Sequence, residues 1–257
     1  MEKHYSIIDG ADSFFFKGNE IGILICHGFN GTPQSVRYVG ERFASEGFTV
    51  FAPRLEGHGT HYHELEACHF NDWINNIYQA YSFLKKSCRE VFVIGQSMGG
   101  ALALNLASLS VPLSGIITIN AALSVPSYQS YLTEQTIRFI PEDRPDIKAE
   151  NVYEIVYNSV PVAAIKNLLH LLVRTERILS RVSCPALIIK SKEDHVVPPE
   201  NSDDIYSNIS SQLKKSIILE NSYHVATMDH DKQKIVDETL IFIKTVSPTV
   251  SKSANIL

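Results

Sequence analysis

The sequence is poor in the features that would assign it to a membrane, to nucleic acid or to a disulfide scaffold. No apolar run approaches the ~18 residues of a bilayer-spanning helix, so no integral membrane segment is expected. The start, Met1-Glu2-Lys3-His4-Tyr5, lacks the charged opening and long apolar stretch of a secretory signal. Only four cysteines occur, at positions 26, 68, 88 and 184, without CxxC or His/Cys ligand spacing. That scarcity excludes a disulfide framework and a zinc module as readings. It predicts free core thiols at Cys26 and Cys184 and a reducing, cytoplasmic setting. Positive charge is also in deficit, with 23 Lys and Arg against 28 Asp and Glu and a net charge of −5. Without a Lys/Arg stripe, no nucleic-acid partner is expected. There is no internal repeat and no low-complexity segment.

What is present reads as one large α/β domain. The chain has 257 residues, 44% of them hydrophobic and 20% charged, enough to bury a sizeable core. Apolar runs at Ile21–Cys26, Phe48–Ala52, Val91–Ile94, Gly115–Asn120, Ala186–Lys190 and Lys215–Leu219 are strand candidates, and Phe14–Phe16 opens the series. Between them lie helical patterns. Thr32 as N-cap and Pro33 at the first helical position start one. Asp72 can cap another, with Trp73, Ile77, Ala80 and Leu84 on one face. A helix begins near Pro199, and a last one runs from about Lys232 to Val246. Strands alternating with helices predict a mostly parallel sheet flanked by helices. Residues 121–180 break this rhythm: they carry Pro126, Pro141, Pro145 and Pro161, a helical stretch near Ala163–Val173 and no clear strand. We expect a core formed by 1–120 and 181–257, and a helical cap insertion over the site from 121–180. The tail from Ser247 is polar and expected to fray.

The chemistry centres on Gly95-Gln96-Ser97-Met98-Gly99-Gly100. It sits between a strand run and the small-residue helix pattern Ala101–Ala107, which is the context that makes Gly-x-Ser-x-Gly a nucleophile elbow. So tight a turn strains the serine backbone and needs glycines where neighbours would clash. In return it lifts Oγ clear of the chain at a helix start, where developing negative charge is favoured.

A serine hydroxyl needs a general base, and the base needs an orienting carboxylate. After an elbow of this kind the acid and then the histidine follow, each on a loop after a strand. Ser191-Lys192-Glu193-Asp194-His195 follows one strand and offers Asp194, with Glu193 open on spacing alone. Glu220-Asn221-Ser222-Tyr223-His224 follows the next. Of the 10 histidines, His224 is the candidate base, on the loop directly after the last sheet strand and before the last helix. His27 is read as shaping its loop, and His195 as making a local turn contact. The oxyanion of acyl transfer needs two backbone N–H donors. Met98, after the nucleophile, supplies one, and Phe29, in the loop after Ile21–Cys26, is the candidate for the other. Both side chains are expected to line the acyl pocket.

His27-Gly28-Phe29-x-Gly31-Thr32, the stretch Arg54 to Gly59 ending Gly57-His58-Gly59, the Ser97 elbow, Glu193-Asp194-His195-Val196-Val197 and His224-Val225 together resemble the bacterial carboxylesterase/monoacylglycerol lipase family. These are small capped α/β-hydrolases, and the likeness runs from about Phe14 to Ile243. The resemblance implies Ser97, Asp194 and His224 as the catalytic triad, with Phe29 and Met98 as oxyanion donors. It implies hydrolysis of short- to medium-chain acyl esters through an acyl-enzyme on Ser97, with no cofactor and no metal, on a small-molecule ester. Residues 121–180 do not follow the family residue by residue, so the acyl and alcohol preferences stay open. The alternatives are an esterase for cinnamoyl-type aromatic esters, a thioester or amide hydrolase with the same triad, and a non-catalytic ligand-binding protein of this fold. An apolar cap surface is also compatible with a homodimer.

Overall fold

The computed structural model describes residues 5–247. The expected signal-free start up to His4 and the expected frayed tail from 248 onward lie outside the described residues. The sheet strands are β1 (Phe14–Phe16), β2 (Ile21–Cys26), β3 (Thr49–Ala52), β4 (Glu90–Gln96) and β5 (Gly115–Ile119). A small hairpin of β6 (Phe139–Pro141) and β7 (Ser159–Pro161) follows, and the sheet ends with β8 (Ala186–Ser191) and β9 (Lys214–Leu219). The helices are α1 (Arg37–Ser45), α2 (Tyr62–Ala67), α3 (Phe70–Lys85), α4 (Met98–Ala107), α5 (Val162–Ile178), α6 (Glu200–Asn208) and α7 (Lys232–Val246).

The seven-stranded sheet has the order β1-β3-β2-β4-β5-β8-β9. Only β1 runs antiparallel to its neighbour; the other adjacent pairs are parallel. Strand β2 is buried along its whole length, and so is β4 from Val91 onward. Such continuous apolar runs are what a sheet covered on both faces requires. One face carries α3, α4 and α5 through Leu24, Trp73, Leu102, Leu172 and Ile188. The other carries α1 and α7 through Ile25, Phe43, Ile117, Leu187 and Ile243. This architecture is the α/β-hydrolase fold.

Two local expectations are corrected. Asp72 is not the N-cap of α3: His69 holds that position, and its ring nitrogen accepts from the Asn71 N–H. Asp72 sits three residues in and accepts from the His69 N–H at 2.7 Å, closing a reciprocal capping box. Residues 121–180 do contain strands. Each strand of the β6–β7 hairpin has three residues ending in proline, too few to show an alternating pattern. Thr32 and Pro33 start a short 3-10 turn, Pro33–Val36, ahead of α1, and the Thr32 side chain makes no capping bond. Helix α5 divides its contacts. Leu168, Leu171 and Leu172 join the core beneath the sheet, while Ile165 and Leu169 close a separate cluster with Val160.

Candidate active site

The elbow forms because β4 runs into α4 with one residue between them. That residue, Ser97, has φ 56° and ψ −120°, a region that side chains rarely enter and that the packing around it must hold. A Cβ on Gly95 would overlap the Gly99 carbonyl, and one on Gly99 would overlap the Cys26 carbonyl. No other residue fits at either position. Gln96 is buried and anchors the turn from its side chain: Oε1 accepts from the Thr227 N–H at 3.1 Å and from the Thr227 hydroxyl at 2.6 Å.

The three loops converge on this serine. Ser97 Oγ lies 2.9 Å from His224 Nε2, and His224 Nδ1 lies 2.8 Å from Asp194 Oδ2. An ionised carboxylate only accepts, so Nδ1 carries the proton and Nε2 is left to accept from the serine hydroxyl. Asp194 is oriented by its own loop, because Oδ1 accepts from the N–H groups of Val196 and Val197 at 2.9 and 2.8 Å. Its side chain is 2% exposed and that of His224 is 9% exposed, so both bonds are shielded from water. The neighbouring Glu193 is exposed and pairs with Lys148 at 3.7 Å, which separates the two acids that spacing left open.

Met98 is the first residue of α4, so its N–H has no intrahelical acceptor. The Phe29 N–H has no hydrogen-bond partner among the described residues, and Phe29 lines the cavity in front of Ser97. The Met98 side chain behaves differently from expectation: it is fully buried in the core below the elbow. Its thioether therefore does not line the cavity. His27 shapes its loop, as anticipated. Its Nδ1–H donates to the Gly28 carbonyl at 2.9 Å, and Nε2 accepts from the Leu55 N–H at 3.2 Å. Burial, with His58 adding to it, pushes its pKa down to about 3, and burial pushes that of His58 down to about 4.

A cavity of about 480 Å³ opens beside Ser97, within the range of small-molecule sites. Its apolar lining includes Phe29, Val125, Tyr128, Tyr131, Ile140 and Leu168. Its polar lining includes Asn30, Glu142 and Glu154. Asn30 Nδ2 donates to Glu142 Oε2 at 2.6 Å. Asn30 also holds the Tyr157 backbone from both sides, donating to its carbonyl at 3.1 Å and accepting from its N–H at 3.3 Å. Burial raises both carboxyls from an ordinary 4.5 to about 7, against the Asn30 bond at Glu142 and the nearby His224 at Glu154. Sequence reading missed these two acids, since an isolated glutamate in an irregular stretch has no pattern to mark it. Among the large apolar and aromatic residues of 121–180, Tyr128, Tyr131 and Ile140 reach the cavity, while Leu169 is core and Tyr153 is 73% exposed. Among the described residues no group of three or more His, Cys, Asp and Glu could hold a metal ion.

Comparison with known proteins fits this geometry. The profile described as serine aminopeptidase, S33, matches residues 19–231. The chain belongs to that family. It is 42% identical over 244 residues to a thermostable monoacylglycerol lipase of Bacillus sp. (strain H-257), covering 94% of this chain and 98% of the relative. It is 27% identical over 237 residues to a carboxylesterase of Bacillus subtilis (strain 168), covering 90% and 95%. A solved structure described with the metagenome-derived lipolytic enzymes LipS and LipT superposes with a TM-score of 0.91 at 44% identity, covering 93% of this chain and 100% of that one. As a member of this S33 family with such relatives, the chain is a serine ester hydrolase.

Proposed function

We propose that the protein hydrolyses short- to medium-chain carboxylic esters, monoacylglycerols among them, through an acyl-enzyme on Ser97. The observation that carries the reading is the unbroken relay Asp194–His224–Ser97, with bonds of 2.8 and 2.9 Å, opening onto a cavity with both apolar and polar lining. His224 takes the Ser97 proton as Oγ attacks the ester carbonyl, and Asp194 stabilises the imidazolium that forms. The Phe29 and Met98 N–H groups receive the oxyanion. The imidazolium returns its proton to the departing alcohol, and water then repeats the cycle to free the acid.

The cavity lining supports the substrate class. Phe29, Tyr128 and Leu168 offer apolar surface for an acyl chain, and Glu154, Glu142 and Asn30 offer hydrogen bonds to a hydroxylated alcohol. A leaving group without hydroxyls would leave the cavity side of the Glu142 and Glu154 carboxyls unmatched, at a cost of about 1–3 kcal/mol each. That favours a polyol ester over a cinnamoyl-type or simple alkyl ester. Residues 121–180 act as the cap in this reading, over a core of 1–120 and 181–257. The free thiols at Cys26, Cys68, Cys88 and Cys184 support a reducing setting.

The test is hydrolysis of p-nitrophenyl esters from acetate to palmitate beside a matched monoacylglycerol series, with Ser97→Ala as control. Turnover that peaks at short to medium chains, is higher on the glycerol esters and is lost in Ser97→Ala is the expected result. Activity on amides or thioesters alone would replace the ester reading.

A further inference from the structure

The segment from Asp146 to Ala149 lies across the two loops that carry His224 and Asp194, and one carboxylate makes the join. Asp146 Oδ2 accepts from the backbone N–H of His224 at 3.1 Å and from the backbone N–H of His195 at 3.1 Å. Its Oδ1 lies 2.8 Å from His195 Nδ1, and its own carbonyl accepts from the Val225 N–H at 3.1 Å. The same segment is fastened again two residues on. Asp229, at the far side of the His224 loop, accepts from the N–H groups of Lys148, Ala149 and Tyr223 at 2.8, 2.9 and 2.9 Å. Glu193, Lys148 and the edge of the Tyr223 ring complete the surroundings of His195 and Asp146.

We propose that Asp146 is a positioning residue, contributed by the insertion, that fixes the catalytic histidine and the loop of the catalytic acid relative to each other. This rests on the reading of Ser97, Asp194 and His224 as the triad. The physical ground is that His224 hangs on a loop after an edge strand, β9, whose residues are mostly exposed or half-buried. The strand gives that loop little anchorage, and hydrogen bonds to the His224 backbone help hold the imidazole within reach of Ser97. One Asp146 side-chain oxygen accepts from both loops, so the two backbone N–H groups are held to a single point. The Asp146 side chain is only 16% exposed, so water replaces it poorly. Asn120 works from the opposite side. Its Nδ2 donates to the Tyr223 and His224 carbonyls at 3.2 and 2.8 Å, so the His224 peptide is held at both its N–H and its carbonyl.

The consequence is that triad assembly depends on the seating of the insertion. A substrate that holds this segment down also holds His224 in line. The His195 imidazole, whose pKa the Asp146 carboxylate raises, adds a charge partner to the clasp but is not what fixes His224.

The experiment compares wild type, Asp146→Ala, Asp146→Asn and Ser97→Ala on one ester, with thermal melting as a fold control. Asp146→Ala is expected to lose about tenfold to a hundredfold in kcat, with KM within about twofold, and to lose the far-downfield NMR proton signal of the His224–Asp194 bond. Asp146→Asn keeps an oxygen acceptor for the two backbone N–H groups, so it is expected to restore the signal and to return kcat to within about threefold of wild type. An Asp146→Ala protein with wild-type kcat and an intact signal would overturn the proposal. So would an Asn variant as impaired as the Ala variant, since charge and not geometry would then be responsible. Activity surviving in Ser97→Ala would instead sink the triad reading itself.

Discussion

The sheet and the insertion meet at Ser97 but are held together by different forces. Strands β2, β4, β5 and β8 are almost wholly buried apolar residues, each contributing about 1.5–3 kcal/mol on burial. The stretch from 121 to 161 has two three-residue strands and no α-helix. It is tied down largely by polar clasps: Asn30 on Tyr157, Asp146 on His224 and Asp229 on Lys148. Such a clasp is worth about 0.5–1.5 kcal/mol net where the acceptor is neutral, as at Asn30, and about 1.5–3 kcal/mol where it is a carboxylate, as at Asp146 and Asp229. One region therefore sets the fold and carries Ser97 at the end of β4. The other can be altered one bond at a time, and it lines the cavity and bonds the His224 backbone.

The largest break in that comparison falls on the chemistry of the sheet. Ser97→Ala should lower kcat by at least about four orders of magnitude, and Ser97→Ala combined with His224→Ala should lose little more, since the relay acts as a unit. Steady-state kinetics on one ester would read both, and additive losses would argue against a shared relay. Next comes the fold of the elbow. Gly99→Ala places a methyl against the Cys26 carbonyl, and backbone has nowhere to yield, so a loss of about 3 kcal/mol or more is expected in urea unfolding. Substitutions in the insertion should be gentler and selective. Tyr128→Ala enlarges the apolar lining and is expected to move the chain-length optimum upward, with the fold unaffected; a chain-length profile identical to wild type would place the acyl group elsewhere.

These differences also explain what was legible beforehand. Ser97, Asp194 and His224 lie at the ends of strands whose apolar runs announce themselves, so chain order pointed to the three loops, while the choice of Asp194 over Glu193 rested on the family resemblance. The sheet and its flanking helices were readable for the same reason. Glu142, Asp146 and Glu154 were not. Glu142 and Asp146 meet residues 30, 195 and 224, far away in sequence, and Glu154 stands out only by its place in the cavity lining; no periodicity in the insertion marks them. Met98 shows the limit in the other direction: its place in the motif suggested a side chain lining the pocket, but that side chain turns into the core.

The smallest effect sharpens the contrast through pH. Glu142 and Glu154 bind protons more tightly in the folded chain than at their ordinary 4.5, with folded values of about 7. The stability they contribute is complete below about 4.5 and is lost as pH rises through about 7. His27 and His58 do the reverse. Their folded values of about 3 and about 4 lie below an ordinary 6.5, so their contribution is present above about 6.5 and is lost as pH falls toward 3–4. Glu142→Gln with Glu154→Gln should therefore raise Tm relative to wild type at pH 8, at about 2–4 °C per kcal/mol for a chain of this size. At pH 4.5 the gain should vanish while the acid limb set by the histidines stays. Calorimetry across pH 4–9 would show it, and an unchanged alkaline limb would mean these carboxyls are not held in the protonated form.

The most direct test of the account is to locate the nucleophile chemically. Treatment with a fluorophosphonate followed by peptide mass spectrometry should give a single adduct on Ser97, formed far more slowly in His224→Ala. Ester turnover without any adduct on Ser97, or an adduct on a different residue, would contradict it.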